Sequence, residues 1–126
     1  MKLRIRGDSI RIRVTQAELR EIADSGRVRD TIRFGGGVDL SYALESDAAA
    51  REPRARYAKD LISVVLPAAT VQRWARSNEV SIEGEQALGD GQTLRILVEK
   101  DFACLQPRPG EDDSDMFPNP EPSKTC

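Results

Sequence analysis

The chain of 126 residues has no histidine, two cysteines and one tryptophan. Each shortage excludes something. Without histidine there is no side chain whose ordinary pKa lies near neutrality, so the usual general base and the commonest zinc ligand are both missing. The two cysteines, Cys104 and Cys126, are too few for a disulfide framework. Aromatic residues make up 5% of the chain, which leaves few platforms for stacking bases. No apolar run approaches the roughly 18–20 residues of a membrane span. The opening MKLRIRGDSIRIRV has no continuous apolar core of the secretory type. Nineteen basic and 21 acidic residues give a net charge of −2, which argues against a general or specific nucleic-acid binder. The expectation is a cytoplasmic protein without a membrane partner.

What is present is a pattern that occurs twice. Ser9–Val28 lies on Leu61–Val80 without a gap at a shift of 52 positions. Ile10, Ile12 and Val14 fall on Ile62, Val64 and Leu66, and Leu19, Ile22 and Ala23 fall on Val71, Trp74 and Ala75. In both copies the hydrophobic period changes from two to about 3.6 at the same place, so each reads as a strand running into an amphipathic helix. Thr15 and Glu18 form a capping box for the first helix, and Gly26 supplies a left-handed end. Pro67 opens the second helix where Thr15 stood, and Asn78 stands where Gly26 stood.

Hairpins flank these units. Lys2–Arg6 and Ser9–Val14 turn at Gly7-Asp8, and Arg27–Phe34 and Val38–Leu44 turn at three glycines. Arg54–Tyr57 turns near Lys59-Asp60 into Ile62–Leu66, while Val80–Glu85 and Thr93–Lys100 close the series. The reading is an α+β fold made of an internally duplicated ββαββ unit. Eight mainly antiparallel strands would form a curved sheet or barrel with two helices packed on it, two four-stranded layers being the other arrangement. Residues 1–104 would be one domain of two repeats, 2–46 and 54–100, followed by an acidic, proline-rich tail over 105–126. From Leu105 onward the periodicity stops.

The opening KLRIRGDSIRIRVTQAE and the close EKDFACL followed by EDDSDMFPNP resemble a small uncharacterised bacterial family, a domain of unknown function. The resemblance spans nearly the whole chain, implies that the tail belongs to the domain, and brings no activity or cofactor with it. A second, architectural resemblance is to triphosphate-tunnel enzymes, which build an eight-stranded barrel from duplicated units. Their acidic first strand is Lys2-Leu3-Arg4-Ile5-Arg6 here, and the nearest comparable acids are Glu83 and Glu85.

Three sets of residues could carry chemistry. Arg4, Arg6, Arg11 and Arg13, extended by Arg29 and Arg33, would line adjacent strands and suit forked recognition of phosphate or carboxylate. The alternative is a solvated face paired to Glu45, Glu83, Glu85 or Glu99. Asp101, Cys104, Glu111, Asp112, Asp113 and Asp115 could gather around a divalent cation, calcium or magnesium before zinc, or form a solvated acidic loop. They could also fold onto the arginine face. Cys104 reads as a small buried hydrophobe and Cys126 as exposed, neither with a histidine to activate it. Two functions follow. The first is a binding or interaction module that engages an anionic ligand or protein partner through its arginine face, without a cofactor. The second is a metal-dependent phosphate- or polyphosphate-handling enzyme with Glu83 and Glu85 holding a cation.

Overall fold

The computed structural model describes residues 1–102 together with Asp115, Phe117 and Pro118. The alternating N-terminal segment forms β1 (Lys2–Ile5) and β2 (Ser9–Val14), which bury Ile12 and Val14 and leave the arginines on the opposite side. Helix α1 (Gln16–Ser25) starts at the expected capping box, with Thr15 accepting from the Glu18 N–H and Glu18 accepting from the Thr15 N–H. It ends at Gly26, whose φ of 86° is the left-handed conformation that a side chain would strain. The chain continues through β3 (Arg27–Arg33), β4 (Asp39–Asp47), β5 (Arg54–Ala58) and β6 (Leu61–Pro67). Helix α2 (Ala68–Arg76) follows Pro67, and β7 (Ser81–Ala87) and β8 (Thr93–Lys100) complete the order.

One detail of the second unit departs from expectation. Asn78 is not left-handed: among the described non-glycine residues only Lys59 and Asp60 have positive φ, in the tight turn between β5 and β6. Helix α2 ends at Ser77 in an extended conformation, and the link to β7 is longer than the single Gly26 that joins α1 to β3. A longer link can turn gradually and needs no left-handed residue. The counterpart of Val28 is therefore Ile82, two positions beyond Val80.

Among the described residues no sheet closes, so the barrel expectation is corrected and the arrangement is the two four-stranded layers. The eight strands form two four-stranded sheets, β1-β2-β8-β7 (sheet I) and β3-β4-β6-β5 (sheet II). Four pairings are antiparallel, and the two central ones, β2 with β8 and β4 with β6, are parallel. Each sheet thus takes one hairpin from the first half of the chain and one from the second. The registers correspond residue by residue. Ser9 faces Arg95 in one parallel pair, and Leu61 faces Ser41 in the other, which are the same positions after shifts of 52 and 54.

Both sheets turn their apolar faces to one core shared with the helices. Ile12, Val14, Ile96 and Val98 enter it from sheet I, Leu44, Val64 and Leu66 from sheet II, and Leu19, Ile22, Val71 and Trp74 from the helices. Trp74 is fully buried, and its indole N–H donates to the Val80 carbonyl at 3.3 Å, which removes the cost of burying that donor. The two helices are tied by the Gln72 side-chain amide, which donates to the Ala23 carbonyl at 2.8 Å.

The sheets also meet along one seam. Gln86 on β7 accepts from the Ala55 N–H and donates to the Ala55 carbonyl on β5, at 2.7 and 3.0 Å. A Cβ on Gly84 would stand 2.8 Å from the Pro53 Cβ, so the approach there requires glycine. Far along the chain, Phe117 returns to pair with Phe102, its N–H donating to the Asp101 carbonyl at 2.8 Å. Their rings meet edge to face at 5.7 Å, and the Lys100 ammonium lies 5.1 Å from the centre of the Phe117 ring. These contacts place part of the segment after Leu105 on the domain although it has no periodicity of its own.

Candidate functional site

The outer face of sheet I is built by alternation. Residues that flank the core positions point away from it, which puts Lys2 and Arg4 of β1, Arg11 and Arg13 of β2, Arg95, Leu97 and Glu99 of β8, and Glu83 and Glu85 of β7 on one surface. Across the first pair of strands Lys2 stands opposite Arg13, and Arg4 stands opposite Arg11. Like charges directly opposed in a sheet are destabilising. Glu99 engages one member of each pair: one of its oxygens accepts from Arg11 Nε at 2.5 Å and from Arg13 Nε at 2.6 Å. Lys2 pairs with Asp101 at 3.1 Å. Arg4 is exposed.

The face is electrically graded. Lys2, Arg4, Arg11 and Arg13 line a shallow depression of about 180 Å³. A larger one of about 590 Å³ lies beside it, lined by Ser9, Glu83, Glu85, Arg95 and Leu97. Glu83 and Glu85 therefore share the face with the arginines but line a different hollow. Arg6 sits at the hairpin turn and borders a third depression of about 430 Å³ with Asp8, Gln92 and Arg95. Arg33 is not brought to this group. It lies on β3, in sheet II, opposite Asp39, and Arg29 lies on the same strand.

The acidic set is dispersed into structural contacts where it is described. Asp101 is buried, donates its N–H to the Val14 carbonyl and holds Lys2 with its carboxylate. Asp115 serves the start of α1, its carbonyl accepting from the Gln16 N–H at 3.0 Å and its carboxylate from the Ala17 N–H at 3.2 Å. Cys104, Glu111, Asp112, Asp113 and Cys126 lie outside the described residues. Among the described residues, no group of three or more Asp, Glu, Cys or His side chains is placed to share a metal ion.

Among the described residues, two groups have displaced titrations. Burial pushes the Tyr42 phenol above its ordinary value, and the carboxylates of Asp30 and Glu18 push the same way. Burial lowers the Lys100 ammonium, partly offset by Glu79, while its charge is held by the Ser77 carbonyl at 2.8 Å. Neither group faces the arginine surface by register.

Sequence reasoning missed the outer face of sheet II. Arg27 and Arg29 on β3, and Arg54 and Arg56 on β5, all point outward there. The alternation that aims them was visible in RVRDTIR and RARYA, but nothing in the linear chain showed that these two strands flank one surface.

These features define the class: an α+β domain of two four-stranded sheets around a shared core, with charged outer faces. The chain belongs to the family of unknown function DUF7009, whose pattern matches residues 1–121. That range contains the opening and closing segments on which the resemblance rested. No curated protein and no solved structure matches the chain. Among the described residues no helix is long and apolar enough to cross a membrane.

Proposed function

We propose that the protein is a binding module whose sheet I outer face takes an anionic ligand or an anionic protein partner through Arg4, Arg11 and Arg13, with Arg6 at the rim. The observation that supports this most is the opposition of Lys2 to Arg13 and of Arg4 to Arg11, four cations against two carboxylates, Glu99 on Arg11 and Arg13 and Asp101 on Lys2. At the corresponding positions of sheet II, Arg54 stands opposite Val65 and Arg56 opposite Ser63, with no repulsion. A fold that tolerates neutral residues there retains a repulsive pair on sheet I, and an incoming anion would relieve it. We favour this over the metal-dependent phosphate-handling alternative, because Glu83 and Glu85 line a separate hollow on an open face.

The test is a thermal-shift titration with pyrophosphate and tripolyphosphate, compared with the Arg4→Gln/Arg11→Gln variant. A ligand at 100 times its dissociation constant adds about 2.7 kcal/mol. Stabilisation of the wild type that disappears in the variant is expected. Equal shifts in both proteins would reject the face as the site, and no shift with either anion would leave only a protein partner.

The register correspondence supports a further reading of the architecture. We infer that residues 2–46 and 54–100 are two copies of one ββαββ unit, related by duplication, whose hairpins are exchanged between the sheets. All six strand pairings match after shifts of 52 in the first hairpins and 54 in the second.

A further inference from the structure

Sheet II carries the opposite charge plan from sheet I. Apart from acidic residues on β4, Asp39 and Glu45 among them, its two central strands present small or apolar residues outward, and Ser41, Ala43, Ser63 and Val65 are all buried there. Its two edge strands present arginines, Arg27, Arg29 and Arg33 on β3 and Arg54 and Arg56 on β5, all exposed. The result is a trough with a low floor and cationic walls. One rung crosses it as Arg29, Ala43, Ser63, Arg56. The wall strands are three inter-strand gaps apart, about 14 Å, a span that two arginine side chains can close from opposite sides. The corresponding rung of sheet I reads Glu83, Leu97, Arg11, Arg4, with an acid at one end and a bulky floor.

The trough already holds one carboxylate. Glu45 is approached by Arg27 from one wall at 3.3 Å and by Arg56 from the other at 3.4 Å. To reach it, Arg56 passes over β6, which the small Ser63 allows. Arg29 instead donates to the Ser41 hydroxyl at 2.9 Å, and Thr31 shares that hydroxyl. A guanidinium resting on a neutral hydroxyl has given up little, and can turn to a carboxylate for a shorter, charge-assisted bond.

We propose that this trough is a second binding site, and that it takes an extended acidic segment of a partner protein. Alternate side chains of an extended chain repeat at about 6.6 Å, as do the i, i+2 arginines of each wall. Glutamates on one face of such a segment would lie between Arg29 and Arg56, while its backbone meets the exposed Thr31 hydroxyl. Among the described strand residues no aromatic side chain is on this face to stack a base, which favours a peptide over a single-stranded nucleic acid. The site is separate from sheet I and does not depend on the reading given for it.

The test uses the full chain and a labelled decapeptide of alternating glutamate and glycine, read by fluorescence anisotropy. Arg29→Gln/Arg56→Gln should weaken binding at least about 10-fold, with the lysine pair Arg29→Lys/Arg56→Lys intermediate because charge survives and the fork does not. Thermal unfolding of each variant confirms that it is folded before binding is compared. Arg4→Gln/Arg11→Gln, which disables sheet I, separates the faces: retained peptide binding supports the trough, and its loss overturns it. The proposal also fails if wild type does not bind the peptide, if the sheet II glutamine pair binds as wild type does, or if oligothymidylate binds more tightly than the peptide.

Discussion

Glu45 and Glu99 occupy equivalent positions on the two sheets, and each holds a pair of arginines. The partners differ. Glu99 takes both from the neighbouring strand, whereas Glu45 takes one from each wall of its sheet. A single carboxylate therefore sets a local charge balance on each face, and the residues around it decide whether that face is graded or uniformly cationic. Tyr42 offers a direct check on the interior. The chain has two tyrosines, so in a Tyr57→Phe variant the phenolate signal belongs to Tyr42 alone. Its ultraviolet titration should have a midpoint above 10, because burial and the nearby Asp30 and Glu18 carboxylates disfavour the anion. The linked stability is complete below pH 10 and is lost as pH rises through the raised value, a loss that Tyr42→Phe should remove. A midpoint at or below 10 would contradict the burial of this phenol.

At the scale of elements, the start of α1 shows what local sequence can and cannot specify. Thr15 and Glu18 are three residues apart, so their capping box was legible as a spacing. Asp115 supplies two further contacts to the same helix from 98 residues downstream of Ala17, and no local pattern could announce it. Read linearly, it belongs to an acidic run suited to a cation. Folded, it accepts from the first backbone donors of a helix, where a negative charge also meets the positive end of the helix dipole. Asp115→Ala should cost about 0.5–2 kcal/mol in urea unfolding, and Asp115→Asn less, since the amide oxygen still accepts. If alanine is neutral, this residue does not hold the C-terminal segment to α1. The ends of α2 follow the same lesson: Pro67 was legible as an opening residue, but Asn78 was not needed as a left-handed stop because the following link is longer.

The whole molecule is held by exchange between its halves. Each sheet combines one hairpin from either side of the linker near residues 48–53, joined through a parallel central pair. A half alone would expose two unpaired strand edges and lose the partner that buries Ile12 and Val14 or Val64 and Leu66. Fragments 1–49 and 50–126 should therefore each lack sheet structure by circular dichroism, and should recover it on mixing in a concentration-dependent way. A half that folds on its own would show that the exchanged pairing is not required for stability. The same exchange places the two arginine surfaces on the outsides of different sheets, so one small domain presents two distinct charged faces.

The sequence by itself determined the strands, the helices and the direction in which each side chain points. Those properties follow from periods of two and 3.6 and from caps within a few residues, which are local. It also showed the recurring apolar pattern of Ser9–Val28 and Leu61–Val80, though the change of shift from 52 to 54 after the second helix became visible only in the strand registers. The tertiary structure alone decided which hairpin joins which. Hydrogen bonding along a strand edge is chemically uniform, so the partner is chosen by how the apolar faces of all eight strands and two helices close on one core. That choice decided for two four-stranded sheets over a single curved sheet or a closed barrel, and left Arg33 on a different surface from Arg4, Arg11 and Arg13. It also brought Arg29 and Arg56 to one face from strands that no linear pattern connects.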